Sequence, residues 1–330
     1  MPLEQRKRHP YLAGTLYRGV MRRIAILLCL VMLGGSLMFG AALGTSTRTV
    51  IPSDIQQIIS VDYRALRNSP TALALKSQVL PENLKEFETA LKGIGVNPDM
   101  DVEQLTFASF RTRNGLKIIG VAAGQFSTKK LLAKMKLKKI SGSKYRMNVI
   151  YPMNGGIQMS FIDDYTMLFG EQSALRQALD ARDGEAESMN SNGQITDLVQ
   201  SVDTGAVWSV LDAVGTQNLL RSTLGDASKL ADYDTVKKRL SGSRYTMDFN
   251  QGVNFNLDVI TSDAMTAATL SSLLKAGIMF RKANAAPSEK LALESTTVDS
   301  DSGVLRLRFK TDDSKFQALM KSDLFQSVSR

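Results

Sequence analysis

The chain has 330 residues, with 41 Lys and Arg against 32 Asp and Glu and a formal net charge of +9. Its one Cys, Cys29, and its one His, His9, both lie near the N-terminus. Everything beyond residue 44 therefore lacks the means for Ser-His-Asp or Cys-His catalysis, for a His-based zinc site and for an intramolecular disulfide.

Residues 1–23 form a basic leader, in which Arg6, Lys7, Arg8, Arg18, Arg22 and Arg23 face the single acid Glu4. These six bases and one acid supply +5 of the +9, which leaves a mild +4 on the rest. With that share removed, the charge gives no support for nucleic-acid binding. An unbroken apolar segment follows at 24–44. Spanning a bilayer as a helix takes about 20 apolar residues, so the segment is expected to anchor the chain. The basic leader stays cytoplasmic and the C-terminal bulk lies outside. The competing reading is a secretory signal with 24–33 as its apolar core, cleaved near Ala42 to give a secreted or periplasmic protein. Ser36, Gly40 and Gly44 are spaced four apart and share one helix face, where small side chains allow self-association.

A polar tether at 45–50 leads to module 1 at 51–183. Its expected elements are a strand at 58–61 ending in Asp62, helices at 65–79 and 82–91, and a hairpin of 105–112 with 116–123. Asn114-Gly115 suits the tight turn of that hairpin. Ser127 is expected to cap a short helix with Leu131, Leu132 and Met135 on its buried face. A second hairpin joins 145–151 to 157–162, with Tyr145, Met147, Val149 and Tyr151 on one side. A helix at 172–181 closes the module. Residues 184–204 are poor in large apolar side chains and read as a linker.

Module 2, at 205–330, repeats the order. A strand at 206–211 ends in Asp212, helical patterns run at 217–224 and 227–240, and a hairpin joins 245–249 to 253–260. Asp263 is placed to cap a long helix through Leu270, Leu273, Leu274 and Ile278. A second hairpin joins 291–298 to 304–310, and a last helix carries Phe316, Leu319 and Met320. The expected fold is α+β: two similar modules, each a mostly antiparallel sheet with helices on one face. The Ile51-Pro52-Ser53-Asp54 opening, the Val61-Asp62 strand end and this order of elements resemble uncharacterised bacterial envelope proteins. Those proteins carry an N-terminal signal or anchor before duplicated α+β modules. The resemblance covers residue 51 to the C-terminus and implies no catalytic residues.

Lys129, Lys130, Lys134, Lys136, Lys138 and Lys139 fall within one acid-free stretch. A solvated helix face explains them, and a contact surface for anionic lipid or an acidic cell-wall polymer is the functional alternative. Asp163-Asp164 and Asp312-Asp313 read as turn and helix-start acids, and Asp62 and Asp212 as helix caps. The alternating acids of 299–303 lack the ligand spacing of a calcium loop. No metal or cofactor is expected. The function this supports is non-enzymatic binding or scaffolding in the cell envelope, toward an envelope protein, lipid or wall polymer. The rival is an exported hydrolase using carboxylates or Ser-Lys in a cleft between the modules.

Overall fold

The apolar run at 58–61 becomes a central strand of the molecule and not the first strand of an isolated module. The computed structural model describes residues 42–79, 82–153, 156–202, 204–224, 233–249 and 252–320. Its first elements are helix α1 (Thr45–Val50), strand β1 (Ile55–Asp62) and helices α2 (Tyr63–Arg67), α3 (Pro70–Val79), α4 (Glu82–Ile94) and α5 (Pro98–Asp101). Strands β2 (Val102–Thr112) and β3 (Gly115–Gly124) follow, then helix α6 (Thr128–Leu137). Strands β4 (Ser143–Tyr145), β5 (Asn148–Pro152), β6 (Gln158–Phe161) and β7 (Thr166–Gly170) precede helices α7 (Gln172–Arg182) and α8 (Gly193–Gln200).

The remaining elements begin with β8 (Val207–Asp212), α9 (Ala213–Leu224), α10 (Tyr233–Lys237), β9 (Leu240–Asp248) and β10 (Val253–Thr261). They end with α11 (Ala264–Asn284), α12 (Pro287–Glu294), β11 (Thr296–Asp301), β12 (Val304–Thr311) and α13 (Asp313–Met320).

All twelve strands form one sheet in the order β11-β12-β10-β9-β8-β1-β2-β3-β7-β6-β5-β4. The expectation of a separate sheet in each module is thereby corrected. Strand β1 pairs antiparallel with β8, setting Ile58 opposite Val210 and Val61 opposite Val207. Two separate sheets would each leave one of these apolar strands as an open edge, and pairing them removes both edges. To one side of this seam the order is β1-β2-β3-β7-β6-β5-β4, and to the other β8-β9-β10-β12-β11.

Helices on one face alone describe only part of the sheet. Residues on successive strand positions face opposite ways, and the first half buries both sets. Ile58, Ala108, Phe110, Ile119 and Val121 pack with Val50 of α1, Ala174, Leu175 and Ala178 of α7, and Ile195 and Val199 of α8. Leu105, Ala122, Met159 and Met167 pack on the other face with Leu91 and Ile94 of α4 and Leu131 and Met135 of α6. In the second half, Val259, Leu305 and Val298 pack against Leu270 and Leu274 of α11. The opposite face there is polar: Arg244 pairs with Asp258 at 3.0 Å, and half-exposed Arg308 lies 3.7 Å from Asp299.

Several boundaries differ from expectation. The supposed tether 45–50 is helix α1, with Val50 fully buried and Thr47 nearly so. The supposed linker 184–204 carries a short 3-10 turn and α8, and Met189, Ile195, Leu198 and Val199 are all buried. These apolar residues, spaced three, four and six apart, cover one face of the central strands, so the segment is part of the core. Residues 40–330 accordingly form one compact unit. Of the apolar segment 24–44, only Ala42, Leu43 and Gly44 are described. Leu43 is buried in the core, and Gly44 is the extended N-cap of α1. Gly44 thus has extended backbone, while Ser36 and Gly40 lie outside the described residues. Among the described residues, no helix is long and apolar enough to cross a membrane.

The second hairpin also departs from the pattern. Arg146 takes a positive φ of 50°, so the chain turns between Tyr145 and Asn148 and β4 folds back on β5. The turn reverses the expected sides: Met147 is 90% exposed and Asn148 only 9%. At the first hairpin, Thr112 pairs with Gly115, so the turn sits one residue earlier than Asn114-Gly115, and Gly115 takes φ +99°. Residues 291–294 belong to α12, started by Pro287 at its first turn. Pro is pre-set for that position, and β11 begins only at Thr296.

The caps at strand ends follow expectation. Asp62 accepts from the N–H groups of Arg64 and Ala65, at 2.9 and 3.1 Å, and Asp212 from that of Gly215 at 2.7 Å. Asp263 accepts from the Thr266 N–H at 2.8 Å and starts the 21-residue α11. That N–H, with the Thr266 hydroxyl, holds the Asp263 carboxyl down at about 2. A depressed value gives stabilisation that is complete above pH ~4 and is lost as pH falls toward 2. The urea midpoint of Asp263→Ala should therefore fall furthest below wild type near neutral pH. The gap should narrow between pH ~4 and ~2, and a gap of constant size would rule out the carboxylate charge as its source.

Candidate functional site

Helix α6 is where the sequence concentrates positive charge, and the structure shows what each end of it faces. Gly124 ends β3 where its backbone passes Asp101. A Cβ at Gly124 would lie 1.9 Å from the Asp101 carbonyl oxygen, so only glycine allows the strands to close there. Phe126 then buries its ring, and its N–H donates to the Asp164 carbonyl at 2.8 Å. These two contacts fix the start of α6 against the turn before β7 and the start of β2. Ser127 occupies the N-cap without a side-chain cap bond, contrary to expectation, while the Thr128 hydroxyl donates to the Asp164 carboxylate. Leu131 and Met135 face the core, four apart on one side of the helix.

The six lysines divide between the two ends of the helix. Lys134 and Lys138 lie against the C-terminus of α4. The Lys138 ammonium donates to the Gly93 carbonyl at 2.5 Å, and a Cβ at Gly95 would meet the Lys134 ammonium at 2.3 Å. Carbonyls at a helix C-terminus carry partial negative charge, so Lys138 caps the end of α4 and Lys134 places its charge beside that end. Lys139 takes φ +58° where α6 ends, and with Lys138 it borders a cavity of about 550 Å³. Lys136 is exposed on the side away from the core. Among the described residues, none of the six forms an ion pair.

Lys129 and Lys130 line a larger cleft of about 740 Å³ between α2, α5 and the start of α6. Nothing along the chain ties these lysines to the other cations of the cleft, Arg64 and Arg67, which stand more than 60 positions away on α2. Their spacing of three puts them on neighbouring positions of one helix face. Arg64 lies 3.3 Å from Glu103. Arg67 is half-buried, and its guanidinium is held by carbonyls alone: Nη2 donates to Val102 at 3.0 Å and Nε to Tyr63 at 3.3 Å. The two other acids of the cleft already have donors. Asp101 accepts from the Asn97 N–H at 2.7 Å and Asp164 from Thr128. Met100 and Tyr165, 68% and 66% exposed, flank the cleft with apolar surface.

The acids considered for catalysis stand apart from one another. Asp312 accepts from the Lys315 N–H at 2.9 Å, which with the Ser314 hydroxyl holds it at about 2, and Asp313 accepts from the Thr71 hydroxyl. Asp163 accepts from the Tyr165 N–H at 2.8 Å. At the seam, Asp54 and Asp212 both grip Arg111, at 3.0 and 2.5 Å. Ser302 and Gly303 both take positive φ in the turn after Asp301, whose carboxylate accepts from the Ser302 hydroxyl. Ser209 is buried and accepts from the Gln57 side chain at 3.3 Å, and Trp208 is in the core. Among the described residues, no group of three His, Cys, Asp or Glu is placed to hold a metal ion.

The path of the chain defines an α+β protein with one large antiparallel sheet. No protein-family description matches it, and no curated protein does. Among solved structures, crystal forms I, IV and III of TP0453 align with 83% of this chain. The alignments cover 95%, 96% and 96% of the respective TP0453 chains, at TM-scores of 0.44, 0.45 and 0.42 and sequence identities of 8%, 9% and 9%.

Proposed function

We propose that this chain is a membrane-anchored, extracytoplasmic protein of the cell envelope, without catalytic activity, which binds an anionic partner through the basic surface of α6. The anchor in this reading is the apolar segment preceding Leu43, behind the basic leader, with the folded part outside. The observation that carries the binding role is the set Lys129, Lys130, Lys136 and Lys139, which project from α6 without a carboxylate partner among the described residues. Lys134 and Lys138 drop out of the contact because the C-terminus of α4 already uses them. Caps and ion pairs engage Asp62, Asp212 and Asp312, which favours binding over hydrolysis. We also read the matching strand orders on either side of the seam as two copies of one ancestral module, the first extended by β5 and β4.

The test is cosedimentation with vesicles of anionic phosphatidylglycerol against zwitterionic phosphatidylcholine, using the full chain and its variant with Lys129, Lys130, Lys136 and Lys139 all changed to Gln. Near an anionic surface each lysine contributes about 1 kcal/mol, so the variant should bind on the order of a thousandfold more weakly. Equal capture of both proteins would end the reading.

A further inference from the structure

Within that reading, and resting on it, the cleft at the start of α6 has a chemistry of its own. A half-buried guanidinium is costly to leave without an anion, and among the described residues Arg67 has only carbonyl oxygens for partners. Those carbonyls fix its plane and leave Nη1 with no hydrogen-bond partner among the described residues, as a pre-positioned donor. Lys129 and Lys130 line the same cleft, with no ion pair among the described residues. The charge balance sets the ligand's valence. Four cations face three carboxylates, and Arg64 with Glu103 already forms a pair, so one positive charge is uncompensated. That balance suits a singly charged oxyanion better than a dianion.

The flanks narrow the choice further. Met100 and Tyr165 present a thioether and a phenol ring on the borders of the cleft, two-thirds exposed. A carboxylate carries one organic substituent, whereas a phosphodiester carries two, and both can lie against apolar surface while the charged oxygens reach the cations. Guanidinium is the group best matched to the paired oxygens of such a phosphate.

We propose that this cleft binds a singly charged phosphodiester group, with Arg67 as the fixed donor and Lys129 and Lys130 as the neutralising charge. The group belongs either to a lipid headgroup or to a soluble phosphodiester.

The experiment titrates the full chain in detergent with diphenyl phosphate, phenyl phosphate and benzoate, reading heat by calorimetry. Diphenyl phosphate should bind saturably and more tightly than the other two. Lys129→Gln with Lys130→Gln, both exposed and outside the core, should weaken it about tenfold, as expected for lost charge-assisted bonds. Arg67→Lys keeps the charge and loses the fork, and should weaken it by a similar factor. Benzoate or phenyl phosphate binding as tightly as diphenyl phosphate would overturn the proposal, as would no saturable binding or equal binding by the Lys129/Lys130 variant. Phosphatidylglycerol vesicles that displace diphenyl phosphate identify the lipid source, and soluble glycerophosphodiesters that do so while vesicles do not identify the other. The Lys136→Gln, Lys139→Gln variant separates the two readings. It should lose vesicle binding and keep diphenyl phosphate, whereas failure of the cleft alone would leave the unsubstituted chain capturing vesicles without binding diphenyl phosphate.

Discussion

Replacing Trp208 with alanine is expected to remove about 3–5 kcal/mol of stability, the usual cost of truncating a buried aromatic to a methyl group. Trp208, the second residue of β8, is 1% exposed and packs in the core cluster containing Ile58, Ile195 and Val199. Its neighbours are therefore strands and helices that cannot easily move into the space left behind. They belong to a sheet whose register is set on both sides, by β1 through Ser60 and by β9 through Thr246. The measurement is the urea midpoint followed by far-UV circular dichroism. A loss below about 1 kcal/mol, the range of surface changes, would mean that the central seam is not packed as described.

The largest effect should come from dividing the chain. The fragment 42–202 keeps α8 but loses β8, so β1 becomes an open edge and Ile58 loses Val210 and Trp208. The fragment 204–320 loses α3, whose Ala74 and Leu75 pack against the cluster of Val253, Phe316 and Met320. It also loses α8, whose Gln194 side chain donates to the Ser241 carbonyl at 2.6 Å. Neither fragment alone is expected to show a cooperative thermal transition. Mixing them should restore one, with the fluorescence of the sole tryptophan, Trp208, moving to shorter wavelength as it is buried. Cooperative unfolding of either fragment by itself would make the halves autonomous domains and remove the seam's role in stability.

Much of the local structure was legible in the residues because its causes are local. Alternation of Phe255, Leu257 and Val259 with Asn254, Asn256 and Asp258 gives one apolar and one polar face, and Leu257 and Val259 do pack against the core while Phe255 lies against the Tyr245 ring. Asp62, Asp212 and Asp263 announce helix starts because a short carboxylate reaches the free N–H groups of a first turn. The failures arose where a distant partner decides. Nothing at 58–61 or 206–211 says that these two runs pair with each other, since any apolar strand offers the same hydrogen-bonding edge. Residues 184–204 look like a linker because their few large apolar residues are scattered, and only the sheet they cover shows that Met189, Ile195, Leu198 and Val199 suffice to fill a layer.

The candidate site divides in the same way. The lysines were visible as a cluster along the chain, whereas Arg64 and Arg67 join them only through folding. The structural duty of Lys134 and Lys138 follows from the C-terminus of α4, which no reading of α6 alone could supply.

The seam between β1 and β8 also governs the order of events when the chain is made. Ile58 and Val210 are adjacent in the sheet and 152 positions apart in sequence. Contacts of such separation form slowly, because a long loop must close before they give any return. Until β8 has emerged, β1 offers its apolar edge to any other strand, the situation in which chains join wrongly or aggregate. A nascent first half therefore has reason to be held by a chaperone until synthesis passes Asp212. Slow translation just before β8 should lengthen that vulnerable interval, and faster delivery of β8 should shorten it.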